Sequence, residues 1–114
     1  MRVAAWNLDH ASNGSRPIEL QTQRIVSIDP DILVLTETCD SVDLAPYGYT
    51  AALTERNQYQ KYCSVIWSKY PILKTIPTYD PETAVCAEID TSLGKVIVYS
   101  VPVAEHEPQK ALVA

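Results

Sequence analysis

The segment Asp29-Pro-Asp-Ile-Leu-Val-Leu-Thr-Glu37 constrains the fold more than any other part of this sequence. Ile32 to Leu35 is an unbroken apolar run, opened by the turn signal Asp29-Pro30 and closed by polar residues that include a carboxylate. A short run of this kind reads as a strand buried on both faces, because a strand with one wet face alternates apolar and polar residues. Such strands belong to layered α/β arrangements, and the ligands of open α/β sheets bind outside the carboxyl ends of the strands. Glu37 therefore has two readings. It is the carboxylate of a functional site, or it is simply the polar residue that ends a buried strand.

The residues before this segment supply a companion. Arg2 to Trp6 is short, apolar and β-leaning, and reads as a first buried strand ending at Asn7. Asp9 to Ser15 is polar, with Asn13-Gly14 as a turn. A helix fits Pro17 to Ile28, with Pro17 at the first helical position, Glu19 in the electropositive first turn, and Ile18, Ile25 and Ile28 on one face. Strand, helix, strand is a βαβ unit, whose crossover is right-handed in about 98% of cases. If its two strands are parallel neighbours, Asn7 and Glu37, 30 residues apart, share one end of the sheet.

Beyond Glu37 the pattern becomes that of shorter strands. Cys39 to Gly48 reads as a loop, Tyr49 to Leu53 as a strand, Thr54 to Lys61 as a polar connection and Tyr62 to Trp67 as a strand. Ser68 to Pro71 is a turn leading into Ile72 to Ile76. Thr83 to Asp90 and Lys95 to Val101 flank Thr91-Ser-Leu-Gly94, a good hairpin turn. In the last strand Val96, Val98 and Ser100 alternate with Ile97, Tyr99 and Val101, so both faces are expected to be covered. Residues 102–114, interrupted by Pro102 and Pro108, read as a loosely attached tail or one short terminal helix.

Composition bounds the function. A chain of 114 residues is one domain at most, able to bury ~65% of its unfolded surface. A net charge of −5 provides no basic field for nucleic acid or anionic membrane. A phosphate-bearing ligand then needs local cations or a bound metal, and the acidic balance favours the metal. The three cysteines, Cys39, Cys63 and Cys86, lack metal-ligand spacing and read as reduced thiols, with Cys63 and Cys86 in apolar stretches as small buried hydrophobes. Neither a signal peptide nor a membrane span is apparent, and a cytoplasmic location is expected.

Four blocks in order carry a resemblance: Arg2-Val-Ala-Ala-Trp-Asn-Leu8, Asp29-Pro-Asp-Ile-Leu-Val-Leu-Thr-Glu37, Val65-Ile-Trp-Ser-Lys-Tyr-Pro-Ile72, and Gly94-Lys-Val-Ile-Val-Tyr99. With them the chain resembles the amino-terminal half of the endonuclease/exonuclease/phosphatase family over residues 1–101, leaving 102–114 as an unmatched tail. The resemblance implies an α/β (α+β) fold, a mixed β-sheet with a flanking helix, as half of a four-layer α/β/β/α sandwich. It implies a hydrolase, a metal-dependent phosphoesterase or nuclease using Mg2+ or Mn2+ on a phosphate-ester substrate, with nucleic acid among the candidates. Asn7 and Glu37 match the family's first two metal-site positions. Those residue types suit magnesium, which takes oxygen ligands, keeps several waters and is usually bound through one or two carboxylates plus substrate phosphate.

The departures from the family pattern matter as much. Its second half carries an Asp-x-Asn block, a further aspartate and a late histidine that activates water, and nothing downstream of Glu37 matches them. Where the family tends to place a histidine just after the strand at Lys95–Val101, this sequence has Pro102. His10 and His106 are weak candidates for a general base, against a loop histidine and a tail histidine respectively. Asp9 is a solvated loop carboxylate or a water-bridged metal contact, while Trp6 and Trp67 read as core. Two functions follow: a metal-dependent phosphoesterase that is incomplete as it stands, or a catalytically inactive truncated fragment acting at most as a metal-binding or interaction module. A nucleotide-binding module ranks third, for no Gly-rich loop follows either leading strand. A half-sandwich also leaves an apolar sheet face and an open edge, so self-association is expected.

Overall fold

The computed structural model of the chain describes residues 1–9 and 14–102, together with the backbone of 110–113. Its elements run β1 (Val3–Asn7), α1 (Arg16–Ile28), β2 (Ile32–Thr36), a 3-10 turn (Ala45–Tyr47), β3 (Thr50–Leu53), β4 (Ser64–Ser68), β5 (Ile72–Ile76), β6 (Val85–Thr91), β7 (Gly94–Val101) and β8 (Lys110–Val113). The strands form two four-stranded sheets, ordered β1-β2-β4-β3 and β5-β6-β7-β8. The first is mixed, with β1 parallel to β2 and the other pairs antiparallel. Each pairing in the second is antiparallel.

All five residues of β2 are buried, as the unbroken apolar run requires. Leu33 and Leu35 pack with Ile18 and Ile25 of α1 and with Val65 and Trp67 of β4. Ile32 and Val34 point the other way, into a cluster with Ile66 of β4, Val85, Ala87 and Ile89 of β6 and Val98 of β7. The period of two along the strand thus sends alternate side chains into two separate cores, helix-on-sheet and sheet-on-sheet. Burying a side chain of this size contributes about 1.5–3 kcal/mol.

The helix is placed by its ends. Pro17 occupies its first turn, the Glu19 N–H donates to the Ser15 carbonyl at 3.1 Å, and Glu19 pairs with Arg16 at 2.9 Å. It stops at Asp29, whose φ of 54° is left-handed and whose N–H returns to the Ile25 carbonyl at 3.0 Å. The Asp29 carboxylate meets the Lys69 ammonium from the β4–β5 turn, which holds the carboxyl below its ordinary range by hydrogen bond and charge. Asp31 fastens β1 alongside: its carboxylate accepts from the Arg2 N–H at 2.7 Å, and its own N–H donates to the Arg2 carbonyl at 2.8 Å.

Three expectations change. Lys110–Val113, read as loose tail or helix, is a strand antiparallel to β7, with Tyr99 opposite Leu112. In β7, Val98 and Ser100 are fully buried while Ile97 is 41% exposed, so one face only is well covered. Of the thiols Cys86 is buried, whereas Cys63, like Cys39, is half-buried, and all three are free.

Replacing Ile66, which is fully buried between the sheets, by Ala is expected to cost about 2–5 kcal/mol in urea unfolding. A second outcome concerns acid. Because the Asp29 carboxyl is lowered, its contribution is complete above the ordinary Asp range and fades as pH falls through about 4 and below. The Lys69 ammonium is raised, so its share persists until strongly alkaline pH. Urea midpoints followed from neutral to acid pH should fall less steeply in Lys69→Met than in the parent chain.

Candidate functional site

Parallel pairing aligns Asn7 with Thr36, so β1 and β2 deliver Asn7 and Glu37 to the same sheet edge. The ladder runs one step further, where the Leu8 N–H donates to the Thr36 carbonyl at 2.9 Å and Leu8 itself is buried. Both chains then turn sharply. The Asn7 Oδ1 accepts the Asp9 N–H at 2.8 Å, closing an Asx turn with Asp9 at φ 55°. Glu37 has φ 50°, and its N–H donates to the Cys63 carbonyl at 2.9 Å, which ties it to the segment entering β4.

A non-glycine residue held left-handed costs on the order of 1–3 kcal/mol, and such residues cluster at functional sites. Glycine or asparagine would serve this turn at lower cost, yet a glutamate stands here. Glu37 is half-buried between Thr36 and Thr38, both buried. Asn7 is exposed on the neighbouring strand.

Beneath this edge lies a layer of buried hydroxyls. Ser64 pairs with Thr36 in the ladder, and its Oγ meets the Oγ of Ser100, joining the two sheets directly under the site. The Thr54 Oγ1 donates to the Ser64 carbonyl at 3.2 Å. Thr36, Ser64 and Ser100 are fully buried and Thr54 nearly so. Sequence reasoning overlooked this layer. Its trace was present in Ser64-Val-Ile-Trp-Ser68, where Ser64, Ile66 and Ser68 share the inner face.

Beside Thr38 a cleft of about 340 Å³ opens, lined in part by Cys39, Asp40, Arg56, Tyr62 and Trp67. The Arg56 guanidinium lies 4.4 Å from the Tyr62 ring centre, bonds the Asp40 carboxylate at 3.1 Å and reaches the Gln60 carbonyl at 2.8 Å. The Asp40 bond is the main cause that raises the Arg56 pKa. The polar connection of the sequence reading therefore holds an exposed cation paired with Asp40.

Among the described residues no group of three or more His, Cys, Asp or Glu side chains is placed to hold a metal ion. Asn7 and Glu37 supply oxygen donors alone, and the Asn7 amide oxygen keeps a second lone pair beyond its bond to Asp9. That donor set fits a hard cation that retains waters, and it does not fit zinc or another thiophilic metal. Asp9 stands at the same edge, exposed. His10 and His106 lie outside the described residues.

No protein-family model matches the chain, and no curated protein matches it by sequence. Solved structures do match. The endonuclease domain of TRAS1, a telomere-specific non-LTR retrotransposon, superposes with a TM-score of 0.68 at 14% identity, over 94% of this chain and 48% of that one. A humanized D. rerio TDP2 gives 0.71 at 13% identity, covering 92% and 48%, and a truncated Caenorhabditis elegans TDP2 gives 0.63 at 20% identity, covering 90% and 46%. The chain thus shares its fold with these structures, as the resemblance to the endonuclease/exonuclease/phosphatase family implies, and it spans about half their length.

Asn7→Ala removes the acceptor that closes the Asx turn and should lower stability by about 1 kcal/mol, whereas Asn7→Asp retains the acceptor and should stay near the parent value. Chemical denaturation of the two variants checks both.

Proposed function

We propose that this chain is the amino-terminal half of a divalent-metal-dependent phosphoesterase, with residues 1–101 forming the half-domain and 102–114 appended to it. The observation that carries the reading is the delivery of Asn7 and Glu37 to one edge by adjacent parallel strands, with Glu37 in a left-handed turn. The fold it shares with a named endonuclease domain gives that edge its chemical context.

Glu37 would hold Mg2+ or Mn2+ through its carboxylate, with the Asn7 amide oxygen as a neutral second donor or a hydrogen-bonding partner of substrate. When bound, such a cation supplies positive charge to the phosphoryl oxygens and lowers the pKa of water. The chain's own residues do the positioning. The Asx turn orients the Asn7 amide, the bond to Cys63 fixes the Glu37 backbone, and the hydroxyl layer below keeps the edge from shifting. Arg56, clamped by Asp40, is a nearby cation for the phosphate backbone of a substrate. Phosphodiesters, nucleic acid among them, are the substrate class the neighbours favour. Water activation needs a base, and His10 and His106 remain the candidates.

The second reading is a catalytically silent half-domain that keeps metal binding or an interaction. It is favoured by the lack, among the described residues, of any group of three or more His, Cys, Asp or Glu side chains placed to hold a metal ion. No described helix is long and apolar enough to cross a membrane. Three free cysteines accord with a reducing compartment, and we place the protein in the cytoplasm.

The test is Mg2+-dependent hydrolysis of bis(4-nitrophenyl) phosphate and of a DNA oligonucleotide, alongside thermal melts with and without Mg2+. The enzyme reading expects turnover that falls about 100-fold or more in Glu37→Gln, with the parent fold retained. A melt raised by Mg2+ only when Glu37 is intact, without turnover, establishes the second reading. Neither turnover nor a Glu37-dependent shift overturns both.

A further inference from the structure

The connection between β3 and β4 is closed by one side chain. The Asn57 Oδ1 accepts the Tyr59 N–H at 2.9 Å and the Lys61 N–H at 3.1 Å, while its Nδ2 donates to the Cys63 Sγ at 3.7 Å. The backbone of Asn57 closes the same turn. Its N–H donates to the Lys61 carbonyl and its carbonyl accepts from the Gln60 N–H, each at 2.9 Å. An amide suits this place because its oxygen must face two N–H groups, which leaves its NH2 for the sulfur. Aspartate would keep the acceptor and lose the donor, and alanine would lose both. Asn57 is half-buried, and Gln60 beside it takes a left-handed φ of 61°. The Gln60 carbonyl in turn accepts from the Arg56 guanidinium at 2.8 Å.

This closed tip reaches the Asn7–Glu37 edge through Cys63. The Cys63 carbonyl receives the Glu37 N–H at 2.9 Å, and its sulfur receives the Asn57 amide. On the same arm Arg56 bridges to Tyr62 and bonds the Asp40 carboxylate at 3.1 Å. Residues 37–40 are therefore fastened at both ends to the hairpin arm that Asn57 closes. We infer that Asn57 is a positioning residue: by closing the tip it sets Cys63, and through Cys63 it holds Glu37 in its left-handed turn. Left-handed backbone is unfavourable for a glutamate, so the turn relaxes once the arm that receives its N–H is loosened. The inference concerns the Glu37 backbone, and it rests on the proposed metal reading only for what the carboxylate then does.

Amide hydrogen exchange on the metal-free chain, followed by NMR, tests it. Asn57→Ala should speed exchange at the Glu37 amide about tenfold, with the amide of Ile66, in the strand flanked by β2 and β3, unchanged. Asn57→Asp keeps the acceptor and should stay within about threefold of the parent chain. Tyr59→Ala, on the same tip with its side chain 71% exposed, should leave Glu37 as it is. In mild urea the Lys61 and Glu37 amides of the parent chain should open with one common free energy. Thermal shift against Mg2+ then reads the carboxylate, and Asn57→Ala should weaken the response about tenfold in Mg2+ concentration. A parent chain indifferent to Mg2+ overturns the metal reading, and the exchange data then decide the role of Asn57 alone. A Glu37 amide unmoved by Asn57→Ala, an equal loss at Ile66, or Asn57→Asp as open as Asn57→Ala would each overturn the inference. So would a Glu37 amide still protected while Lys61 opens, or a Mg2+ response that Asn57→Ala leaves unaltered. Should Asn57→Ala not fold, the urea measurement on the parent chain decides.

Discussion

The parallel pairing of β1 with β2 is the contact on which the rest of this structure depends. β2 is wholly buried, with Leu33 and Leu35 in the core beneath α1 and Ile32 and Val34 in the core between the sheets. A slip of one residue would exchange the two sets, sending Leu33 and Leu35 between the sheets and Ile32 and Val34 beneath α1. Once β2 is set, the crossover through α1 sets the direction of β1. Two strand ends, and the polar residues that follow them, then meet at one edge. Asp31 and the Asp29–Lys69 pair hold the opposite edge, where β1 begins and α1 ends.

At the edge that holds Asn7 and Glu37 the structure accepts local costs. Asp9 and Glu37 adopt left-handed backbone, and four hydroxyl side chains are buried where aliphatic ones would pack without needing partners. Each cost has a local compensation. The Asn7 side chain closes one turn, the Cys63 carbonyl receives the other, and Thr54, Ser64 and Ser100 bond within their own layer. Strain and buried polarity thus coincide within a few residues of the half-buried carboxylate, a concentration that a purely structural strand end does not require.

The two sheets differ in what covers them. One sheet has its helix and a complete outer core. The other leaves Ile97 and Leu73 exposed, and among the described residues β1 ends the first sheet. In the proposed metal site the Glu37 carboxylate and the Asn7 amide oxygen would form part of a coordination shell, with water and substrate left to complete it.

Much of this was legible in the sequence because it rests on local signals. The burial of Ile32–Thr36, the helix begun by Pro17 and stopped at Asp29, and the hairpin through Gly94 all follow from periodicity and turn chemistry acting over a few residues. The meeting of Asn7 and Glu37 was also legible, since parallel neighbouring strands of a βαβ unit end on the same edge of the sheet. What only the tertiary structure decided concerns groups brought together from distant segments. The Ser64–Ser100 contact spans 36 residues and two sheets, and Arg56 finds Asp40 across a loop with no periodic pattern. The strand at Lys110–Val113 exists through its partner β7, its own residues having no strong local preference. The left-handed turn at Glu37 belongs to the same class. A glutamate states no preference for it, and only the bond to Cys63 and the packing around Thr36 and Thr38 hold it there.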